Sequence, residues 1–163
     1  MACMPFLNKV AIIEATGEDI LNALETVVRG WPVEEGGFPQ VSGLTFVLDS
    51  AVKSTVVIDS NGLFNRVAGA RRVRDVKVLV NGEYQPLDPQ HRYTIGSTAY
   101  VLLMGGDAVN FPSRRRLPLP AWMAEDAVDI DLLEHYLKVT LEGQVPDIYQ
   151  KPQGRIGFGQ TKK

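Results

Sequence analysis

One cysteine, Cys3, and two histidines, His91 and His135, occur among 163 residues. A single thiol excludes an internal disulfide framework and any zinc centre built from several cysteines. Neither histidine has a histidine or acidic partner at metal-ligand spacing. Each is therefore read as structural, His91 in a turn ahead of a strand and His135 on a helix. Excess charge is lacking too: 17 Lys and Arg against 19 Asp and Glu give a formal net charge of −2. That balance excludes the basic surface of a nucleic-acid binder. The exception, Arg114-Arg115-Arg116, lies between Pro112 and Pro118 and is expected in a solvated loop. No apolar run approaches the ~18–20 residues of a membrane span. The opening residues, Met1-Ala2-Cys3-Met4-Pro5, lack the charged and apolar regions of a secretory leader. The chain reads as a cut, beginning almost inside a strand.

What is present is ordinary globular composition, 45% hydrophobic, in a length that makes one domain with a real core. Val10-Ala11-Ile12-Ile13 is short enough for a buried strand. Thr16, with Asp19 three residues on, resembles a capping box that opens a helix from about Gly17 to Arg29, closed by Gly30. Ile20, Leu21, Leu24, Val27 and Val28 share one face of it. Trp31 to Gln40 is Pro/Gly-rich loop, and Leu44–Leu48 and Thr55–Ile58 are strand-like. Asn61-Gly62 and Asn81-Gly82 signal turns. Between them Val73, Val76, Val78 and Val80 alternate with polar residues, with a slip at Asp75-Val76 that marks a bulge. Arg92 to Tyr100 is expected as a strand, Phe111 to Pro120 as loop, and Arg155 to Phe158 as a closing strand. Asp129 is expected to cap a helix carrying Leu132, Leu133, Tyr136, Leu137 and Leu141. Strands that dominate two distant helices give an α+β fold.

Ala99 to Asp107 carries the most chemistry. An apolar stretch with an aromatic, Tyr100, runs into Gly105-Gly106 and ends on a carboxylate. Glycines let a backbone or ligand approach closely, and an aspartate beyond them can accept two hydroxyl hydrogen bonds, as a ribose diol presents. By itself the pattern is equally a plain chain reversal.

Four segments taken together say more: Met4-Pro5-Phe6-Leu7-Asn8, Gly36-Gly37-Phe38-Pro39-Gln40-Val41-Ser42-Gly43, Tyr100 to Asp107, and Gly154-Arg155-Ile156. With Val80-Asn81-Gly82 and Pro86-Leu87-Asp88-Pro89, they resemble, in order and over nearly the whole chain, the C-terminal domain of the 5′-nucleotidase family. That family includes UDP-sugar hydrolases and 2′,3′-cyclic-nucleotide phosphodiesterases. The resemblance implies a nucleoside-binding domain that works with an N-terminal metallophosphoesterase domain of the same protein, which holds two divalent metal ions. By motif, Phe6 would stack on the base, Asn8 would hydrogen-bond it, Gly36 would line it with backbone, and Asp107, after Gly105 and Gly106, would hold the ribose hydroxyls. Phe38 is read as packing. The family's second stacking aromatic sits six residues before the aspartate, where this chain has Val101, and Tyr100 is taken as the partner instead. Ala108 and Val109 replace the family's glycine and aromatic.

The family's metal-binding Asp/His motifs, its Asn-His-Glu signature and its Asn-Gly-Gly-Gly-Ile-Arg segment do not occur in this sequence. The expectation is a single domain, 1–163, without the metal-bearing half, which binds substrate and does not hydrolyse it alone. The resemblance further implies an extracytoplasmic location, periplasmic or cell-surface, with no membrane insertion and no nucleic-acid polymer as partner. Two alternatives stand beside this reading. One is an interaction module that kept the fold and lost the pocket. The other is a family enzyme for UDP-sugars, cyclic nucleotides or nucleoside diphosphates.

Overall fold

A computed structural model describes residues 4–159. The strand begun by the first apolar run, β1 (Val10–Thr16), hands over directly to the helix α1 (Gly17–Val27). Thr16 ends the strand and caps the helix, its hydroxyl accepting the Asp19 N–H. The reciprocal half of the expected capping box does not form. The buried Asp19 carboxylate accepts instead from the Ser113 N–H and, in a short contact, from the Ser113 hydroxyl. The helix closes at Val28, whose N–H donates to the Leu24 and Thr26 carbonyls, rather than at Gly30.

Next come β2 (Leu44–Asp49), the hairpin of β3 (Val56–Ile58) and β4 (Phe64–Val67), then β5 (Val73–Val80), β6 (Glu83–Pro86) and β7 (Arg92–Thr98). Asn81 and Gly82 both have positive φ, 51° and 86°, as the two-residue turn between β5 and β6 requires. The slip at Asp75 is a bulge: Thr45 pairs with Lys77 but Val47 with Arg74, so Asp75 and Val76 oppose Phe46 alone. That extra residue brings Val73, Val76 and Val78 all to the inner face, where they are buried.

Past β7 the expectation of a strand through Tyr100 fails. The chain turns into a short helix, α2 (Ala99–Met104). Thr98 supplies the reason, since its side chain accepts the Val101 N–H at the N-terminus, while Gly105, left-handed at φ 76°, stops the other end. The expected loop at 111–120 contains a three-residue strand, β8 (Arg115–Leu117), which pairs with β1. Two members of the arginine run are thus tethered. Arg115 lies 3.2 Å from the Glu14 carboxylate, which Arg92 also engages at 2.7 Å, and Arg114 donates to the Phe111 carbonyl. The Arg92 hydrogen bond foremost holds the Glu14 carboxyl below its usual range. The last elements are α3 (Asp129–His135), continued by a wider turn over Tyr136–Thr140, and β9 (Ile156–Gly159). Val128, not Asp129, is the cap residue of α3, and the Asp131 carboxylate reaches back to accept its N–H.

The strands form a sheet β7-β1-β8, a second sheet β6-β5-β2-β9 and the separate β3-β4 hairpin. One core packs Ile20, Leu24 and Val28 of α1 against Phe46 and Leu48 of β2 and the valines of β5. A second packs Ala11, Ile13 and Ala15 of β1 against Leu102, Val109 and Phe111. Ala23 and Val27 of α1 reach this second core, so the helix joins both. The architecture is α+β, as read from the sequence.

Candidate functional site

The Gly105–Ala108 turn is held at both ends by residues that cannot move cheaply. Leu102 ahead of it and Val109 and Phe111 behind it are buried in the core under β1. Within it Gly105, Asp107 and Ala108 all have positive φ, at 76°, 55° and 66°. For Asp107 and Ala108 this is the left-handed region that L side chains enter at a cost of about 1–3 kcal/mol each. Aspartate enters that region more often than most residues do. The Asp107 carbonyl accepts from Arg29 Nη1 at 3.0 Å, and the same nitrogen donates to the Thr26 carbonyl at 2.7 Å. The last turn of α1 is thereby tied to the Asp107 backbone across 78 residues of sequence. Nothing in the local pattern marks Arg29 for this task.

Asp107 meets the glycine-rich loop at Gly37. A Cβ on Gly37 would stand 2.9 Å from both Cγ and Oδ1 of Asp107, so a side chain there would displace the carboxylate. Gly36 has open space where its Cβ would be. On the other side the Tyr100 ring lies over Gly106, so close that a Cβ there would overlap it. Tyr100 remains 48% exposed. Val101, the position to which the resemblance assigns the stacking ring, packs instead against the core beneath. Among the described residues no partner hydrogen-bonds the Asp107 carboxylate.

The Met4–Asn8 segment reaches the same end of the sheet by a different route. The Lys9 carbonyl accepts the Ala99 N–H at 2.7 Å, Lys9 bridges Val128, and the Asn8 carbonyl accepts the Asp129 N–H at 2.9 Å. Asn8 is therefore fixed by its backbone, beside the residue that pairs with the start of α2. Phe6 is 82% exposed and makes no ring contact with Tyr100. The structure thus gathers Tyr100, Gly105, Gly106, Asp107 and Gly37 into one cluster. It leaves Phe6 and Asn8 without a described contact to that cluster, and Gly36 adjoins it only as the chain neighbour of Gly37. Phe38 packs against the first core. No group of three or more His, Cys, Asp or Glu side chains that could hold a metal ion occurs among the described residues. No helix among them is long and apolar enough to cross a membrane.

The family model described as 5′-nucleotidase, C-terminal domain, matches residues 1–114. Among solved structures, a 5′-nucleotidase precursor from Thermus thermophilus is similar over 98% of this chain, with a TM-score of 0.70 and 25% sequence identity. An NAD nucleotidase from Haemophilus influenzae is similar over 97% of it, with a TM-score of 0.57 and 17% identity, a likeness of fold alone. The chain spans only 27% and 24% of those two proteins. No curated protein matches it.

Proposed function

Since the chain belongs to the 5′-nucleotidase C-terminal domain family, we propose that it is the nucleoside-binding part of a two-domain, metal-dependent phosphohydrolase of nucleotide catabolism. The observation that carries this reading is the Asp107 carboxylate. It is unpartnered among the described residues, held on a strained turn, backed by Gly37 and flanked by the exposed Tyr100 ring. Such a carboxylate suits the two hydroxyls of a ribose through charge-assisted hydrogen bonds. A base lying on Tyr100, with Phe6 as the opposing face, would gain about 1–3 kcal/mol per stacked ring. Asn8 would bond the edge of the base, and the Gly36, Gly105 and Gly106 backbone would line it.

In this reading residues 1–163 are the substrate-binding domain alone. A metallophosphoesterase domain of the same protein, with two divalent ions, would supply the activated water and the phosphate clamp. Nucleoside binding here would position the phosphate there, a contribution from approximation. The protein would work outside the cytoplasm, as its resemblance to exported nucleotidases suggests. UDP-sugars, cyclic nucleotides and nucleoside diphosphates are the alternative substrates of the same nucleoside grip.

Titration calorimetry of the 163-residue chain with adenosine tests the reading. Saturable binding is expected, weakened at least tenfold by Asp107→Ala and also weakened by Phe6→Ala. Binding unaffected by Asp107→Ala would remove the carboxylate from the site. A second reading, an interaction module without a nucleoside pocket, is favoured by Val101, which packs inward where the family places an aromatic. That reading predicts no adenosine binding.

A further inference from the structure

Strand β7 is the edge of its sheet, and the phase of its hydrogen bonds can be worked out. Ala99 donates to Lys9 and Gly17 donates to His91, in register with the pairs Val10–Thr98 and Thr16–Arg92. Bonded pairs alternate in an antiparallel ladder, so Tyr93, Ile95 and Ser97 exchange hydrogen bonds with β1. The N–H and C=O groups of Thr94 and Gly96 therefore point away from β1. No described residue bonds to them, and both residues are exposed.

Grooves flank this edge on both faces of the sheet. On the face of Tyr93 and Ile95 lies one of about 470 Å³, walled by Val41, Leu44, Val78 and Leu79 of the second sheet and its preceding loop. On the face of Val10 and Ile12 lies another of about 750 Å³, walled by Trp122, Leu132, Leu133 and Tyr136. Gly96 and Ser97 line both. The apolar face of α3 opens onto the second groove and buries none of its own residues.

From this arrangement we infer that β7 accepts one further β-strand, an extended segment of about five residues with apolar side chains on both faces. Its backbone would pair with Thr94 and Gly96 while alternate side chains entered the two grooves. An unpaired strand edge is the template for such addition, and a strand buried on both faces is a continuous apolar run rather than an alternating one. Polypeptide of the same protein beyond these 163 residues is the source. The solved Thermus thermophilus relative has most of its length beyond the part this chain matches, 27% being covered. That source rests on the two-domain reading; the open edge does not.

The test uses the 163-residue chain and a capped peptide, Lys-Thr-Val-Ile-Val-Ile-Thr-Lys, without nucleotide. Saturable binding is expected, with at least tenfold slower hydrogen exchange at the Thr94 and Gly96 amides. Gly96→Pro should weaken binding at least tenfold with the circular dichroism unchanged, because its N–H lies outside the β1 ladder. Should that variant fail to fold, Leu133→Glu and a peptide with Ser in place of Val and Ile serve instead, and both should lose binding. Absence of peptide protection, or binding indifferent to these changes, overturns the inference. Amides of Thr94 and Gly96 already protected in a monomer would overturn it too. So would a dimer dissolved by Gly96→Pro, which would make a second copy the occupant. Adenosine binding is read separately, so failure of the nucleoside proposal leaves this result intact.

Discussion

Gly106 shows how one missing side chain sets the geometry of its neighbours. The Tyr100 ring occupies the space where its Cβ would stand, and the ring is half exposed and free to swing aside. Gly106→Ala is therefore expected to leave the melting temperature within a few degrees of wild type. Adenosine affinity should fall severalfold as the ring is displaced, and NMR shifts of the Tyr100 ring would report that movement. Glu25 carries the opposite lesson, a titratable group placed where the solvent cannot help. It is 1% exposed and accepts the Val73 N–H at 2.8 Å. Burial raises its carboxyl above the ordinary range, with the Val73 hydrogen bond and the nearby Arg71 and Arg72 opposing. The folded state thus binds the proton more tightly than the unfolded chain does. The stabilisation from the neutral carboxyl is complete below the unfolded pKa and fades as pH rises through the raised folded one. Glu25→Gln keeps the acceptor and removes the titration. Its melting temperature should lose less between acid and neutral pH than that of the wild type.

At the level of elements, α1 was legible from its spacing alone, because Ile20, Leu24 and Val28 recur on one face and are all buried. The Asp75 bulge was legible because one misplaced polar residue breaks a strict alternation. By contrast α2 was hidden. Its first two residues, Ala99 and Tyr100, read as the end of a strand, and the decision rests on the Thr98 hydroxyl and the left-handed Gly105, two signals weaker than the apolar run they bracket. The C-terminus of α1 was hidden for another reason, since its partner is remote. Buried Arg72, 3% exposed, donates from Nη1 to the carbonyls of Val28, Arg29 and Trp31, and lies over the Trp31 ring at 5.6 Å. Arg72→Met would leave these acceptors without their donor. It should cost about 2 kcal/mol, read as a lower urea midpoint at unchanged slope.

For the whole molecule, most strands and the helix shared by the two cores follow from local patterns, but the pairing of distant strands into sheets does not. Strand β1 bonds to β7 and β8, both far along the chain, and no local pattern in Arg114-Arg115-Arg116 foretells a strand. The candidate site is legible to a similar extent. Asp107 and the glycines around it were marked by the sequence, whereas Gly37 and Arg29, which hold Asp107 in place, belong to distant segments and act through space. Val101 is the instructive residue: counting from the aspartate points to it, yet it packs inward while its neighbour Tyr100 stays half exposed.

Strand β9 has a consequence for the order in which this chain can fold. It runs parallel to β2, with Phe46 opposite Ile156, and closes one side of the sheet that carries the main core. Its partner is therefore made long before it. During synthesis β2 can meet β5 soon after both emerge, but its other edge stays bare until almost the last residues of this sequence appear. Contacts so far apart slow the search for the native state, and a bare central edge invites pairing with the wrong strand. A ribosome stalled before residue 156 would present an unfinished sheet, which makes such a truncated chain a natural client for chaperones that shield strand edges.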